Sequence, residues 1–155
     1  MFRDFSRRKF LKLTAITLGA STGGFVLPQF ALAQDDAPFN YVQDPENPTD
    51  LEAEHLINIR LPIIAEDGAN VPIVASLENH PMEEDHYIKT IRIYSFTDPV
   101  VSKGRFTFSP ANGMAYISTQ ARMDGGDANV FVVAECTKHG LWAANATLKV
   151  SLGGC

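Results

Sequence analysis

The stretch VFVVAECTKHGLWAANATLKVSL, residues 130–152, decides the fold predicted for this chain. Two β-type runs, 130–137 and 141–152, flank His139-Gly140, a pair typical of a tight turn. In the second run apolar and polar residues alternate, as in Leu148-Lys149-Val150, which is typical of a strand with one buried face. The stretch therefore predicts a long antiparallel hairpin.

Five further short β-type runs precede this hairpin, and turn signals rich in Gly, Pro, Asn and Asp separate them. The runs are roughly His55–Leu61, Val71–Leu77, Tyr87–Phe96, Lys103–Phe108 and Ala115–Met123. A single helical turn, Asp50–Glu54, is too short to change the class. Seven short strands at this spacing predict an all-β fold, an antiparallel β-sandwich over residues 51–152.

Residues 1–33 are an export signal rather than part of this fold. Ser6-Arg7-Arg8-Lys9-Phe10-Leu11-Lys12 is a twin-arginine box, an apolar stretch follows over 13–27, and Ala31-Leu32-Ala33 is a small-x-small cleavage site. An uncleaved anchor is disfavoured because the apolar stretch is short and rich in Gly, Ser and Thr, whereas a spanning helix needs about 20 apolar residues. We expect twin-arginine export to the periplasm, with no membrane attachment after cleavage.

The charge of the exported part excludes one class of partner. The chain has 13 basic and 18 acidic residues; five basic and one acidic residue lie in 1–33, which leaves eight and 17, a net charge of −9. Nucleic-acid binding needs a basic footprint, so we expect no nucleic-acid partner. Residues 34–50 are acidic and proline-rich without periodicity, which predicts a mobile leader.

The sequence ends on Gly153-Gly154-Cys155, directly after the last predicted strand. Two glycines leave the backbone free to swing, so a thiol beyond them can visit several pockets. That arrangement suits a carrier of a covalently held substrate. The alternative is a tail whose cysteine is incidental.

Over residues 55–155 the chain resembles the SoxY family, the sulfur-carrier subunit of periplasmic thiosulfate oxidation. The matching segments are Leu61-Pro62-x-Ile64-Ala65-Glu66-Asp67-Gly68, Val71-Pro72, Pro81-Met82, Tyr87-Ile88-Lys89-x-Ile91, Phe106-x-Phe108-x-Pro110, Ile117-Ser118-Thr119 and Lys149-Val150-Ser151-Leu152-Gly153-Gly154-Cys155.

The resemblance implies that Cys155 carries the sulfur substrate and that Gly153 and Gly154 are its arm. It also implies a heterodimer with a SoxZ-type subunit, or a homodimer in its absence, and periplasmic sulfur-oxidation enzymes as further partners. No cofactor is required for that carrier role. The family's usual ending continues with two more glycines, whereas this sequence stops at Cys155. Two interpretations stay open: a clipped sequence, or altered partners.

Two other segments concentrate metal-ligand residues. They are His80-Pro81-Met82-Glu83-Glu84-Asp85-His86 and Cys136-Thr137-Lys138-His139-Gly140-Leu141-Trp142. Thiolate and neutral imidazole are good ligands for iron, copper or zinc. Each residue alone is more often a surface histidine or a small buried cysteine, but three of the four histidines fall in these segments.

The same segments closely resemble the superoxide reductase (desulfoferrodoxin) family, whose fold is an immunoglobulin-like β-sandwich. That family holds a mononuclear iron with four histidines and a cysteine thiolate. The resemblance implies that His80, His86, His139 and Cys136 are metal ligands, with iron as the first choice and copper as the second.

The family's fourth histidine is expected before Val71-Pro72, where this chain has Asn70. Its lysine and glutamate would fall at Ala69 and Gly68. We therefore expect an open position beside Asn70 and poor superoxide reduction. No spacing argument brings His55, the remaining histidine, to the metal.

A disulfide between Cys136 and Cys155 is the first expectation for two cysteines in an oxidising compartment. The hairpin argues against it, because it places the cross-strand neighbour of Cys136 near Ala143, 12 residues from Cys155. Those residues span up to about 40 Å when extended, and a disulfide needs Cα atoms within about 7 Å. The two sulfurs should serve different roles.

Three functions follow from these observations. The favoured one is a periplasmic sulfur carrier that uses Cys155. The second is a superoxide-reductase-like mononuclear iron protein that uses His80, His86, His139 and Cys136. The third is a hybrid, a carrier that retains the metal site.

Overall fold

The computed structural model describes residues 39–151. The signal over 1–33 and the arm residues Gly153, Gly154 and Cys155 lie outside the described residues. The described part contains one short α-helix, α1 (Asp50–Glu54), and eight strands. The strands are β1 (Asn58–Arg60), β2 (Ile64–Ala65), β3 (Val71–Leu77), β4 (Ile88–Ser95), β5 (Ser102–Thr107), β6 (Ala115–Ala121), β7 (Gly126–Cys136) and β8 (Gly140–Val150).

The strands form two sheets, in the orders β1-β3-β6 and β2-β8-β7-β4-β5. Every pairing is antiparallel except that of β2 with β8. Burial alternates along β7, where Val130, Val132 and Ala134 are fully buried. Such alternation places one face of the sheet against the core. The expected all-β, immunoglobulin-like antiparallel sandwich is confirmed.

The hairpin of β7 and β8 is longer than the sequence predicts, and the count is eight strands rather than seven. β7 begins at Gly126 instead of Val130, because Gly126 already pairs with Val150. β2 was missed because it has only two residues, too few to show a period. The first predicted strand, His55–Leu61, shrinks to β1 because α1 and its cap at His55 occupy its start.

Part of the leader expected over 34–50 contacts the sandwich. The N–H of Asn40 donates to the carbonyl of Leu141, and Asn40 accepts from Ala143, both at 2.8 Å. The Phe39 ring packs edge-on against Phe131, with centroids 5.9 Å apart. Residues 39–41 therefore line the edge of β8. Within 39–151, no helix is both long and apolar enough to cross a bilayer.

Candidate metal centre

The turn between β7 and β8 places a thiol and an imidazole side by side. Cys136 ends β7 and pairs with Gly140, whose φ of 75° lets the chain reverse within three residues. The N–H of His139 donates to Cys136 Sγ at 3.4 Å, and His139 Nδ1 lies 3.8 Å from the same sulfur. This Cys-x-x-His turn thus directs both donor atoms to one side.

His80 reaches the same sulfur from the connection between β3 and β4. Its side chain is buried, and Nδ1 lies 2.6 Å from the carbonyl oxygen of Pro81. The other ring nitrogen, Nε2, lies 3.4 Å from Cys136 Sγ. The carbonyl group of Pro81 therefore orients the His80 ring so that Nε2 faces the thiol.

His86 closes a turn just before β4. Two backbone hydrogen bonds with Glu83, of 3.0 and 3.2 Å, fix this turn. The His86 ring lies with its centroid 4.7 Å from that of His80 and 4.8 Å from that of His139. His86 Nε2 is buried and has no hydrogen-bond partner within residues 39–151. A buried polar atom without a partner in a native fold calls for an explanation, and a bound ion or water is one.

His55 is the fourth histidine of the cluster, and no sequence pattern predicts it there. It caps the C-terminal end of α1, a helix that a Thr49–Glu52 capping box begins. His55 is fully buried and stacks on Trp142, with centroids 4.5 Å apart. Its Nδ1 lies 2.7 Å from the carbonyl oxygen of Leu51, and its Nε2 lies 3.3 Å from His139 Nδ1.

Donor atoms therefore converge from four places in the chain. One donor atom from each of His55, His86, Cys136 and His139 lies within 4.8 Å of all the others, and His80 Nε2 lies beside the same sulfur. The structure brings together the four residues singled out from the sequence, His80, His86, Cys136 and His139, and adds His55.

The backbone contacts decide which ring nitrogens can bind a cation. A carbonyl oxygen only accepts, so Nδ1 of His55 and of His80 must carry the proton, which leaves each Nε2 lone pair free and directed into the cluster. Burial, with a smaller contribution from the neighbouring histidines, lowers the pKa of His80 to about 4. Burial likewise lowers the pKa of His55. Both rings are therefore neutral at neutral pH, the state in which imidazole binds metal.

This donor set fits a transition metal. The Nε2 lone pairs of His55 and His80 face His139 Nδ1 and Cys136 Sγ at 3.3 and 3.4 Å, and a cation between such donors stabilises them. Imidazoles with one thiolate suit iron or copper, and the absence of a carboxylate disfavours magnesium and calcium.

The expectation that Asn70 lies at a vacant fourth-histidine position is wrong. Asn70 ends a 3₁₀ turn, Gly68–Asn70, and its side chain donates to Asp67 at 3.2 Å. The seven residues of β3, about 23 Å of strand, separate it from the segment that contains His80. His55 supplies the fourth imidazole instead. Ala69 and Gly68 belong to the same turn, so they do not bear on the chemistry of the cluster.

The cluster and the arm leave the sandwich at opposite ends of one hairpin. Cys136 pairs with Gly140, not with a residue near Ala143, whereas Val150 pairs with Gly126 at the far end of β7. Eleven residues of β8 separate the two ends, about 33 Å. Because Gly140 is further from Cys155 along the chain than Ala143 is, the observed pairing strengthens the argument against a Cys136–Cys155 disulfide.

Comparisons with known structures agree with the observed fold. The chain is similar to a superoxide reductase (neelaredoxin) from Ignicoccus hospitalis, with a TM-score of 0.59, 22% identity, and coverage of 73% of this chain and 95% of that one. It is also similar to a superoxide reductase (neelaredoxin) from Archaeoglobus fulgidus, with a TM-score of 0.51, 18% identity, and coverage of 66% and 95%. At such identities the likeness shows a shared fold.

A search of curated proteins gives no match. A protein-family model does match, however, and its description is "Sulfur oxidation protein SoxY". The match spans residues 45–155, most of the chain, and so includes every strand of the sandwich, the histidine and cysteine cluster, and Gly153-Gly154-Cys155. The chain belongs to the SoxY family.

Proposed function

We propose that this protein is a periplasmic carrier that holds sulfur intermediates of thiosulfate oxidation on Cys155. The observation that carries the proposal is the family match, because it extends through Gly153-Gly154-Cys155. The structure supports it in one respect: the last described strand, β8, ends at Val150, only five positions before Cys155 in the sequence. Twin-arginine export and a SoxZ-type partner subunit belong to the same proposal.

The carrier chemistry needs a thiol and two partner enzymes. The Cys155 thiolate and the outer sulfur of thiosulfate form an S–S bond, and the two electrons released pass to a c-type cytochrome. A hydrolase then adds water across the bond between sulfur and the sulfonate, which releases sulfate and two protons and leaves a persulfide on Cys155. The carrier supplies the attachment atom in both steps.

Replacement of Cys155 tests this proposal. With the sulfur-oxidation enzymes present, we expect Cys155→Ser to abolish thiosulfate-dependent electron transfer, while Cys136→Ser retains it. Mass spectrometry of the wild-type protein should find a thiosulfate-derived adduct on Cys155. Wild-type turnover in the Cys155→Ser protein would refute the carrier function.

A second function, a redox-active metal centre, is favoured by the convergence of His55, His80, His86, Cys136 and His139. These five side chains would hold one iron, with copper as the alternative, and the metal would supply one-electron chemistry. His55 and His80 are held by backbone carbonyls, and Cys136 accepts the His139 N–H, so this chain orients its donors before any metal binds. The protein is then a hybrid of carrier and metalloprotein.

Elemental analysis tests whether the cluster binds the metal that this second function needs. After anaerobic reconstitution with Fe(II) and desalting, we expect about one iron per chain in the wild-type protein and a large loss in Cys136→Ala. Equal iron in both proteins would show that the cluster is not the binding site.

A further inference from the structure

The end of the sandwich from which the arm departs limits where a partner can act. Ser151 is the last described residue, and four more residues lead to Cys155. Four extended residues span about 13 Å. On the proposed carrier function, an enzyme that reacts with Cys155 must therefore bring its active site within that distance of Ser151. Its surface then contacts the surface around Ser151.

Two exposed isoleucines lie beside this point. Ile63 and Ile64 are 86% and 59% exposed. They are fixed next to β8, because the carbonyl of Ile63 accepts from Lys149 N–H at 3.1 Å and the carbonyl of Ala65 accepts from Ser151 N–H at 2.8 Å. Ile64 belongs to β2 and Ile63 directly precedes it, and neighbouring large apolar side chains this exposed are typical of a surface that another protein covers.

Acidic side chains surround the same place. Ser151 lines an open groove of about 280 Å³ together with Glu66, Asp67 and Asp124, which are all exposed. Arg122 is the basic residue in this lining, and Lys149 pairs with Ile64 on the adjoining strand. The groove thus carries three negative charges against one positive charge.

This charge acts on the substrate and on the partner in opposite ways. A sulfur intermediate with a terminal sulfonate is an anion, so the carboxylates beside Ser151 repel it and favour arm conformations that project away from the sandwich. A partner with lysine and arginine around its active-site entrance is attracted by the same carboxylates.

We propose that Ile63, Ile64, Glu66, Asp67 and Asp124 form the docking surface for the cytochrome that attaches thiosulfate to Cys155, hereafter the arm-root surface. The enzyme that fits it presents an apolar contact ringed by basic side chains at the entrance of its active site. Ile63 and Ile64 become buried against the partner, and the three carboxylates orient the partner and speed its association.

Steady-state kinetics test the apolar half of the arm-root surface. The assay uses the full mature carrier, with its partner subunit if one is required, as the varied substrate of the purified thiosulfate-attaching cytochrome. We expect Ile63→Asp/Ile64→Asp to raise KM for the carrier about tenfold or more, with kcat retained. The matched control is Tyr116→Asp, which changes a 44% exposed apolar residue of β6 near the other end of the molecule and should leave KM unchanged.

Charge reversal tests the acidic half. We expect Glu66→Lys to raise KM and to weaken its dependence on salt, because one attractive charge becomes repulsive. The rate at which iodoacetamide, a neutral reagent, alkylates Cys155 should be the same in all these variants, which shows that the arm itself is intact.

Three outcomes overturn the proposal. One is a KM of the isoleucine variant equal to that of the wild type, and another is an equal effect of Tyr116→Asp. The third is dissociation of a SoxZ-type subunit or of a second copy by the isoleucine change, which would assign the arm-root surface to that subunit. Failure of the carrier function is distinguishable, because then Cys155→Ser itself retains turnover.

Discussion

His55 shows what a single residue adds to the candidate metal centre. The next histidine in the sequence, His80, is 25 positions away, yet the Nε2 of His55 lies 3.3 Å from Nδ1 of the still more distant His139. A periodicity argument finds residues on one strand face, and a short motif finds neighbours in sequence. His55 belongs to neither group, because it is positioned by the end of a five-residue helix. The Thr-x-x-Glu capping box at Thr49–Glu52 supports the start of the predicted turn Asp50–Glu54, but no local pattern shows that the residue after this turn faces the cluster.

Replacement of His55 should therefore weaken metal binding. We expect His55→Ala to lower iron affinity about 10–100-fold, because one of the converging donors is lost. Competition of the reconstituted protein with a chelator, read by elemental analysis, measures this loss. Asn70→Ala is the matched control and should bind iron like the wild type, since Asn70 lies in the turn before β3. An iron affinity that is lower in Asn70→Ala than in His55→Ala would contradict the assignment of His55 as a ligand.

At the scale of elements, the cluster depends on how two loops hold each other. The turn before β4 and the turn after β7 are joined through Thr137: its N–H donates to Tyr87 O at 3.1 Å, and its hydroxyl oxygen accepts from Tyr87 N–H at 3.1 Å. The same hydroxyl donates to Asp85 O at 3.2 Å, and Lys138 Nζ lies 2.7 Å from the Asp85 carboxylate. These contacts connect the segments that contain His86 and His139.

Thr137 is accordingly predicted to be a positioning residue for the metal centre. Thr137→Val keeps the shape of the side chain but removes both hydroxyl hydrogen bonds, so we expect lower iron affinity and a shifted sulfur-to-metal absorption band. Thr137→Ser restores the hydroxyl and should restore the band. A band that is the same in all three proteins would mean that the contact only stabilises the loops.

A buried ion pair joins the connection between β4 and β5 to the start of β5. Lys103 Nζ lies 3.2 Å from Asp98 Oδ2, and both side chains are almost fully buried. Burial acts to raise the pKa of Asp98, but hydrogen bonds from the Asp124 N–H and from Lys103 outweigh it and hold this pKa below the ordinary value of 3.8. A carboxyl whose pKa is lower in the folded state stabilises the fold above its unfolded pKa and loses this contribution as the pH falls through its folded pKa.

We predict that Asp98→Asn destabilises the domain by about 3 kcal/mol at pH 7, because Lys103 is left buried without a counter-charge. Urea denaturation at pH 7 measures the difference. The difference should shrink as the pH falls from about 3.8, the ordinary pKa of the carboxyl in the unfolded chain, towards the lower pKa of Asp98 in the folded protein. Asp127→Asn changes an exposed carboxylate and should have little effect. Equal destabilisation by both variants would show that the Asp98–Lys103 pair contributes little.

Local pattern was sufficient to predict most of these elements. Val71–Leu77 was predicted to the residue, and six other predicted runs overlap observed strands, because alternation survives wherever one face of a strand is buried. β2 could not be found in this way, since its two residues are held by the parallel ladder to β8 rather than by any period. The pairing of Cys136 with Gly140 depends on turn geometry, which sequence patterns predict only to within a few residues.

At the scale of the whole molecule, the hairpin of β7 and β8 separates the two proposed functional sites, the metal-ligand cluster and the carrier arm. The cluster lies where β7 turns into β8, and the arm departs from the other end of β8, about 33 Å away. The four residues from Leu152 to Cys155 reach about 13 Å from Ser151. Even an arm that folds back along the sheet therefore leaves about 20 Å between the Cys155 sulfur and the cluster of the same chain.

The two functions should accordingly be separable by mutation. We predict that Cys155→Ser keeps the iron content and the sulfur-to-metal absorption band of the wild type, and that loading thiosulfate on Cys155 leaves this band unshifted. Conversely, Cys136→Ala should lose iron while the carrier turns over at the wild-type rate. Absorption spectra and thiosulfate-dependent kinetics on the same preparations provide both measurements. A band that moves when Cys155 is loaded would require contact in trans, from the arm of one molecule to the cluster of another; dependence of the shift on protein concentration would identify that case, because the length of β8 forbids the contact within one chain.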